Sequence, residues 1–223
     1  MTEIAGKLGR LDDEIWGKLI LMERGRRVAK AYLRSTTLVV DGGCSGFDGR
    51  SMGFTAFANP DRDAQTAELR QKIGPGVLLK MDKQGSVIAL AQGTAPVFLA
   101  AECGSERLGA LGGRLPPASD HRSPKERAVK AFDMKLFKAA LERGAANPHH
   151  LLYKTCIRIS LVKKGSSALK TPCWLMLVNL VAMDMLLSQP SPQPPLSSLP
   201  QPPNPPLHRR SSASAPSLRL TQL

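Results

Sequence analysis

The sequence predicts a mainly β protein, a two-sheet sandwich with a few short helices. Three observations predict it. Short apolar or β-branched runs recur about every ten residues, the spacing expected of a sandwich. Several runs alternate, as Met52, Phe54 and Ala56 do against Ser51, Gly53 and Thr55, which fits one buried and one solvated face. Turn-forming clusters such as Asp82-Lys-Gln-Gly85 separate neighbouring runs and suit hairpins.

Taken in order, Trp16-Gly-Lys-Leu-Ile-Leu-Met22 is strand-like and Arg24-Gly-Arg-Arg27 is a basic turn. Val28 to Leu33 continues as a second strand or a short helix, and periodicity leaves both open. Thr36 to Val40 is β-branched and forms a strand. A loop with glycines at 42, 43, 46 and 49 follows, between the acid Asp41 and the base Arg50. Ser51 to Phe57 is a further strand. Asn59-Pro-Asp-Arg-Asp63 breaks the pattern. Asp61 or Asp63 caps a helix through Glu68, Leu69 and Ile73, and Gly74 stops it. Gly76 to Met81, Ser86 to Leu90 and Pro96 to Ala101 are strands, the first two joined as a hairpin. Residues 102–128 are irregular and rich in Gly, Pro and Arg. Val129 to Phe132 is extended, and Asp133 caps a helix that ends at Gly144. Residues 145–152 are a loop. Cys156 to Val162 is a strand, Lys163 to Lys170 a basic loop, Cys173 to Val178 a strand, and Leu180 to Leu187 a final helix.

The organisation that follows is a flexible N-terminus over 1–14, one domain over 15–188 and a disordered tail over 189–223. Ten of the 18 prolines lie in 190–223, with serines and no acid, a composition for a spacer rather than a core. The tail holds only three bases, Arg209, Arg210 and Arg219, so most of the +13 net charge stays on the body. Such a balance predicts an anionic partner: nucleic acid, a membrane surface or a phosphorylated protein.

The cysteines at 44, 103, 156 and 173 stand far apart, with no C-x-x-C pair and no matching histidines. They predict neither a zinc site nor a disulfide framework. The N-terminus lacks the apolar core of a signal peptide. The longest apolar run, Trp174 to Leu187, is broken by Asn179 and Asp184 and is too short to span a bilayer. An intracellular, cytoplasmic and also nuclear location is expected, without membrane insertion.

No catalytic constellation is visible, and no cofactor or small-molecule substrate is expected. His149-His150 has no ligand at metal spacing. Gly43-Cys-Ser-Gly46 lacks the last glycine of a nucleophile elbow. Gly74-Pro-Gly76 follows a helix rather than a strand. Aromatic residues do not interleave with the bases, which disfavours single-strand nucleic-acid binding. The lysines on the glycine-bearing loop after residue 162 suit an anion such as phosphate.

The order of motifs resembles the second Mad-homology domain, the C-terminal domain of Smad proteins. Trp16, Val40-Asp-Gly42, Arg50-Ser-Met-Gly-Phe54 and Asn59-Pro-Asp-Arg-Asp63 stand in that family's order. Ile73-Gly-Pro-Gly-Val77, Arg114-Leu-Pro-Pro117 and Lys130-Ala-Phe-Asp-Met134 continue it. Cys156-Ile-Arg-Ile-Ser-Leu-Val-Lys163 and Thr171-Pro-Cys-Trp174 complete it, and the final helix keeps one central acid, Asp184. Glu23-Arg-Gly-Arg-Arg-Val-Ala-Lys-Ala-Tyr32, Phe47-Asp-Gly49 and Val181-Ala-Met-Asp-Met-Leu186 look like the expansion group, which has this domain alone.

The resemblance implies a Smad/FHA-type sandwich with a helical bundle at one end and a loop-helix region at the other. It implies a non-enzymatic signalling adaptor that forms homo- or hetero-oligomers, trimers above all, with Smad-like proteins. Carried over by motif, Asp41, Arg50 and Asp184 belong to the subunit interface. Arg114 and Lys163 match the phosphoserine pocket, with Lys164 and Lys170 adding charge, so phosphorylated or acidic segments are the implied partners. Transcription cofactors are a further class, through transcriptional regulation in TGF-beta/BMP-type signalling. A cytoplasmic or cortical scaffold and a direct nucleic-acid-binding domain are the alternatives. The family's G-W-G-x-x-Y loop is replaced by Lys164-Gly-Ser-Ser167. Its phosphorylated C-terminal serine motif is absent, while Arg209-Arg-Ser-Ser212 places Ser212 in a sequence for a basophilic kinase.

Overall fold

A computed structural model of the chain describes residues 14–100, 113–143 and 148–189. Strands β1 (Gly17–Glu23) and β2 (Arg26–Leu33) form the first hairpin. Then come β3 (Thr37–Asp41), β4 (Ser51–Gly53), helix α1 (Ala64–Gln71), β5 (Val77–Met81), β6 (Val87–Ala91), β7 (Val97–Leu99) and β8 (Gly113–Arg114). The rest is α2 (Pro124–Arg127), β9 (Val129–Phe132), α3 (Met134–Glu142), α4 (Pro148–Lys154), β10 (Cys156–Leu161), β11 (Cys173–Asn179) and α5 (Leu180–Leu187).

The strands make two sheets. One has the order β2-β1-β11-β10-β7-β8 and the other β4-β3-β5-β6-β9. Every pairing is antiparallel except β3 with β4. Alternate side chains of both sheets enter one core. Leu19, Leu21, Ile157, Ile159, Leu175 and Leu177 come from the first sheet, and Leu38, Val40, Val77, Leu79, Val87 and Ala89 from the second. All twelve are fully buried, as inward positions of two facing sheets must be.

Each end of the sandwich is closed differently. Phe54 and Ile73 plug one end, between β4 and α1. Met134, Phe137, Leu151 and Ala182 of α3, α4 and α5 plug the other, where the Phe132 and Phe137 rings sit 5.5 Å apart in a tilted pair. The sequence resemblance placed a helical bundle and a loop-helix region at opposite ends, and the fold has this arrangement. The sandwich is mainly β, as the strand spacing predicts.

Three local expectations are corrected. The predicted strand over 51–57 is cut short after Gly53. Thr55 donates its backbone N–H and its hydroxyl to Gly43 O, at 3.0 and 2.6 Å, which winds Phe54–Ala56 into a 3-10 turn. A Cβ on Gly53 would lie 2.3 Å from that same carbonyl, so only glycine admits the crossing. Residues 148–154 form α4 rather than a loop, because Pro148 needs no N–H at a first helical position and Leu151 is buried. The irregular segment 102–128 contains α2, closed by a capping box of Ser123 and Glu126. It stops after one turn as Arg127 turns inward to donate to Ala91 O and Pro117 O. The expected N-terminus is undescribed up to residue 13, and the tail from 190 onward lies outside the described residues.

Asn179 joins the helical end to the sheets. Its Nδ2 donates to Gly85 O at 3.0 Å and its Oδ1 accepts from Ala182 N at 3.1 Å, capping α5. Asn179→Ala removes the cap and strands a buried carbonyl, an expected loss of about 3 kcal/mol. Urea denaturation followed by circular dichroism measures it.

Candidate functional site

Strand β1 turns Leu19, Leu21 and Glu23 toward the interior, and Glu23 reaches the loop end of the sandwich only 2% exposed. A lone carboxylate there would be costly. Asn59 Nδ2 and Arg62 Nε donate to its Oε2 at 2.6 and 3.0 Å. Arg70 Nε stands 3.2 Å from Oε1 but off the line of a hydrogen bond, so that contact is charge against charge. Arg62 and Arg70 also donate to Phe57 O. Burial, and next the Arg62 cation, lower the Arg70 pKa while Glu23 opposes them; an arginine stays charged regardless. Removing Glu23 would leave the buried Arg70 and the half-buried Arg62 without their anion, a loss of about 3–5 kcal/mol.

The next residue, Arg24, sits at the tip of the β1–β2 hairpin with φ of 49°, unusual for a non-glycine residue. Three contacts hold it there. Its N–H donates to Thr171 O at 3.0 Å, its carbonyl accepts from Trp174 Nε1 at 2.8 Å, and its guanidinium grips Asp63 at 2.6 and 3.0 Å. Asp63 also caps α1, accepting from Thr66 N and Thr66 Oγ1. The hydrogen bonds from Arg24 and Thr66 hold the Asp63 carboxyl well below the usual carboxylate range. Arg26 pairs with Asp61 beside it. A pocket of about 290 Å³ opens between hairpin tip and α1. Its acids and bases neutralise one another, so it does not attract an anion. Behind it, burial and then the Glu23 charge push the Cys173 thiol up to about 12, leaving it protonated and inert.

The basic loop begins at a strained residue. Val162 has φ of 64°, and Lys163 N donates to Leu161 O at 2.7 Å across it, closing a γ-turn that a β-branched side chain resists. Thr171 closes the other end, its hydroxyl donating to Ser167 O at 2.8 Å and accepting from Gly165 N at 3.2 Å. Lys163, Lys164 and Lys170 are exposed on the loop. Arg114, also exposed, lies opposite Phe98 of β7, which lies opposite Ser160 of β10. That register brings Arg114 to the same end of the sheet as the loop. Among the described residues, the side chains of Lys163, Lys170 and Arg114 meet no carboxylate.

Asp41 ends β3, half-buried, and accepts from Gly43 N at 2.8 Å. Arg50 is exposed; its backbone N–H donates to Asp48, and its guanidinium has no partner among the described residues. Both stand at the loop end. Asp184 stands at the other end, exposed on α5 between Val181 and Leu187, which are 39% and 46% exposed. The structure thus groups Asp41 and Arg50 with the end that bears Lys163, Lys164, Lys170 and Arg114, and separates Asp184 from them by the length of the sandwich. Ser212 lies outside the described residues. His149 and His150 are exposed on α4, and among the described residues no three acids, histidines or cysteines gather as metal ligands. No described helix is long and apolar enough to cross a membrane.

The Glu23 cluster is absent from the sequence reading. Its one signal is an acid at an inward position of an apolar strand, two residues after Leu21. Its partners lie some forty residues away and become visible only in the fold.

A sandwich with charged loops at one end and a helical bundle at the other defines a module that works through its surfaces. The chain matches the MH2 domain family over residues 14–180 and belongs to that family. It is a Smad-like protein-interaction domain. It is 29% identical over 179 residues to the Smad protein daf-8 of Caenorhabditis elegans, covering 71% of this chain but only 31% of that relative. Its fold is similar to the IAD domain of interferon regulatory factor 9, with a TM-score of 0.54 and 16% identity over 81% of this chain and 93% of the other. A chain in the crystal structure of STAT2 in complex with IRF9 matches equally, with a TM-score of 0.54 and 16% identity over 79% and 98%. These two likenesses establish the fold.

Asp63 carries a pH signature. Its folded pKa lies below its unfolded value, so its contribution is complete above about pH 4 and is lost as pH falls through the folded value. Thermal unfolding of Asp63→Asn against wild type is expected to show a constant deficit from neutral pH down to that point, closing in stronger acid.

Proposed function

We propose that the chain is an adaptor that associates head to tail through its two ends and docks phosphorylated or acidic protein segments on its basic loop. The observation that carries the first part is the separation of unpaired opposite charges. Within one chain the Arg50 guanidinium and the Asp184 carboxylate have no partner among the described residues, and they stand at opposite ends of the sandwich. A cation at one end and an anion at the other pair only between copies, and such a heterologous contact closes into a ring when the rotation permits. Exposed Val181 and Leu187 flank Asp184 and supply apolar area around the charge, as the desolvated centre of an interface requires. The family resemblance supports a three-fold ring and assigns Asp41 to the same contact.

The basic loop supports the second part. Arg24 and Arg26 pair with Asp63 and Asp61, and Arg62 and Arg70 share the carboxylate of Glu23, whereas Lys163, Lys170 and Arg114 meet no carboxylate among the described residues. Three unpaired cations thus stand at the end that bears the basic loop, a setting that suits phosphate.

Light scattering over a range of concentrations tests the first part. Wild type is expected to form trimers, Arg50→Asp and Asp184→Arg to be monomeric, and the double swap to recover the trimer. A monomeric wild type, or a double swap no better than the singles, refutes it. Fluorescence anisotropy with a phosphoserine peptide tests the second. Lys163→Ala and Arg114→Ala are each expected to weaken binding about tenfold, with little effect on the unphosphorylated peptide. Equal affinity for both peptides refutes phosphate recognition.

A further inference from the structure

The basic loop carries a hydroxyl that the docking of a partner does not use. Ser166 is exposed, and its side chain makes no hydrogen bond among the described residues. Two exposed lysines precede it in the order Lys163-Lys-Gly-Ser166, three and two residues before the serine. Among the described serines and threonines, it alone has bases at both of those positions. The backbone presents it as well. Residues 163–167 belong to no strand or helix. A Cβ on Gly165 would lie 2.5 Å from Lys170 O, so the chain doubles back there against Lys170, a close approach that glycine admits. The Gly165 N–H donates to Thr171 Oγ1 at 3.2 Å, and Lys170 N to Ser167 O at 3.2 Å. Ser166 thus stands between two lysines that enter the turn and a third that the turn brings back beside it.

We infer that Ser166 is a phosphorylation site for a protein kinase that selects bases at these two positions, and that its phosphate occupies the loop's own anion site and shuts out phosphorylated partners. The kinase passes the γ-phosphoryl group of ATP to Ser166 Oγ. The bond from that phosphorus to the bridging oxygen breaks, ADP leaves, and the hydroxyl proton goes to the kinase's catalytic carboxylate. The product carries about −1.5 to −2 charge at neutral pH and three strong acceptor oxygens. Lys163 and Lys170 meet no carboxylate among the described residues, so the phosphate displaces no acid from them. A further cation, Arg24, donates to Lys170 O at 3.4 Å but is already held by Asp63. Being tethered, the phosphate competes at the effective concentration of an intramolecular ligand, on the order of millimolar for a short link. The shutting-out rests on the docking proposed above; the modification and its capture by the loop do not.

Treatment of the full chain with ATP and a kinase of that selectivity tests the inference. Ser212 follows Arg209 and Arg210 at the same spacing, so the Ser212→Ala chain is used. Peptide mass mapping is expected to place one phosphate on Ser166, and Ser166→Ala to abolish it. Phosphate on other residues alone overturns the site. In 31P NMR the second phosphate pKa is expected below its ordinary value of about 6, and Lys170→Ala to raise it again. An ordinary value with all three lysines present overturns the capture. The phosphorylated chain is expected to bind the phosphoserine peptide at least about tenfold more weakly than the unmodified chain, and equal affinity overturns the shutting-out. If the unmodified chain binds no phosphoserine peptide, the docking proposal is what fails, and the first two measurements still decide the modification and its capture.

Discussion

The loop end of the sandwich depends on one buried carboxylate. Glu23 ends strand β1, and its two oxygens gather Asn59, Arg62 and Arg70. Those three residues span the segment before α1 and nearly the whole helix. Helix α1 and the segment before it are therefore tied to β1 by charge, beside the apolar plug of Phe54 and Ile73. An apolar replacement of similar volume is often tolerated at such a cluster, whereas loss of one member is not. The cluster contributes position more than net stability. It sets where α1 lies, and α1 sets where Asp63 meets the hairpin tip.

Two residues with positive φ stand at the margins of the basic loop, Arg24 and Val162. Neither is a glycine, so each conformation costs energy that neighbouring contacts must offset. Arg24 is over-determined by Thr171, Trp174 and Asp63. Val162 is held by its N–H to Pro96 O at 2.7 Å and by the γ-turn across it. The lysines between them are thus carried by a loop with fixed ends, and Lys163 leaves the sheet in a direction that a relaxed strand would not give it. On the proposed function, a loop held at both ends lowers the ordering cost of binding an anion.

Much of this fold is legible in the sequence because the signals are local. Alternation identifies β10, Asp63 and Asp133 announce α1 and α3, and the end of α5 agrees to the residue. Misreadings arise where a distant group overrides the local pattern. The alternation of 51–57 is genuine, but the carbonyl of Gly43 claims Thr55 and ends the strand. Asn-Pro-His-His reads as a loop until Leu151 finds the core. Asp41, Arg50 and Asp184 were located by motif, yet their placement at opposite ends is a property of the topology alone. Glycines 53 and 76 have a common explanation that no propensity supplies. At Gly76, with φ of 67°, a Cβ would lie 1.9 Å from Val40 O; both glycines let backbone cross backbone.

The strand order also governs how the domain is assembled during synthesis. Strand β11 sits at the centre of the larger sheet, between β1 and β10, and it is the last strand of the sandwich to leave the ribosome. Until it arrives, the β1–β2 hairpin has no neighbour on its inner edge, and Trp174 cannot close on Arg24, 150 residues earlier in the chain. The smaller sheet is complete by β9 and can form while the larger one waits. Folding of the sandwich is thereby deferred until β11 is synthesised, a slow closure set by non-local pairing. During that interval the open edge of β1 is exposed to other chains.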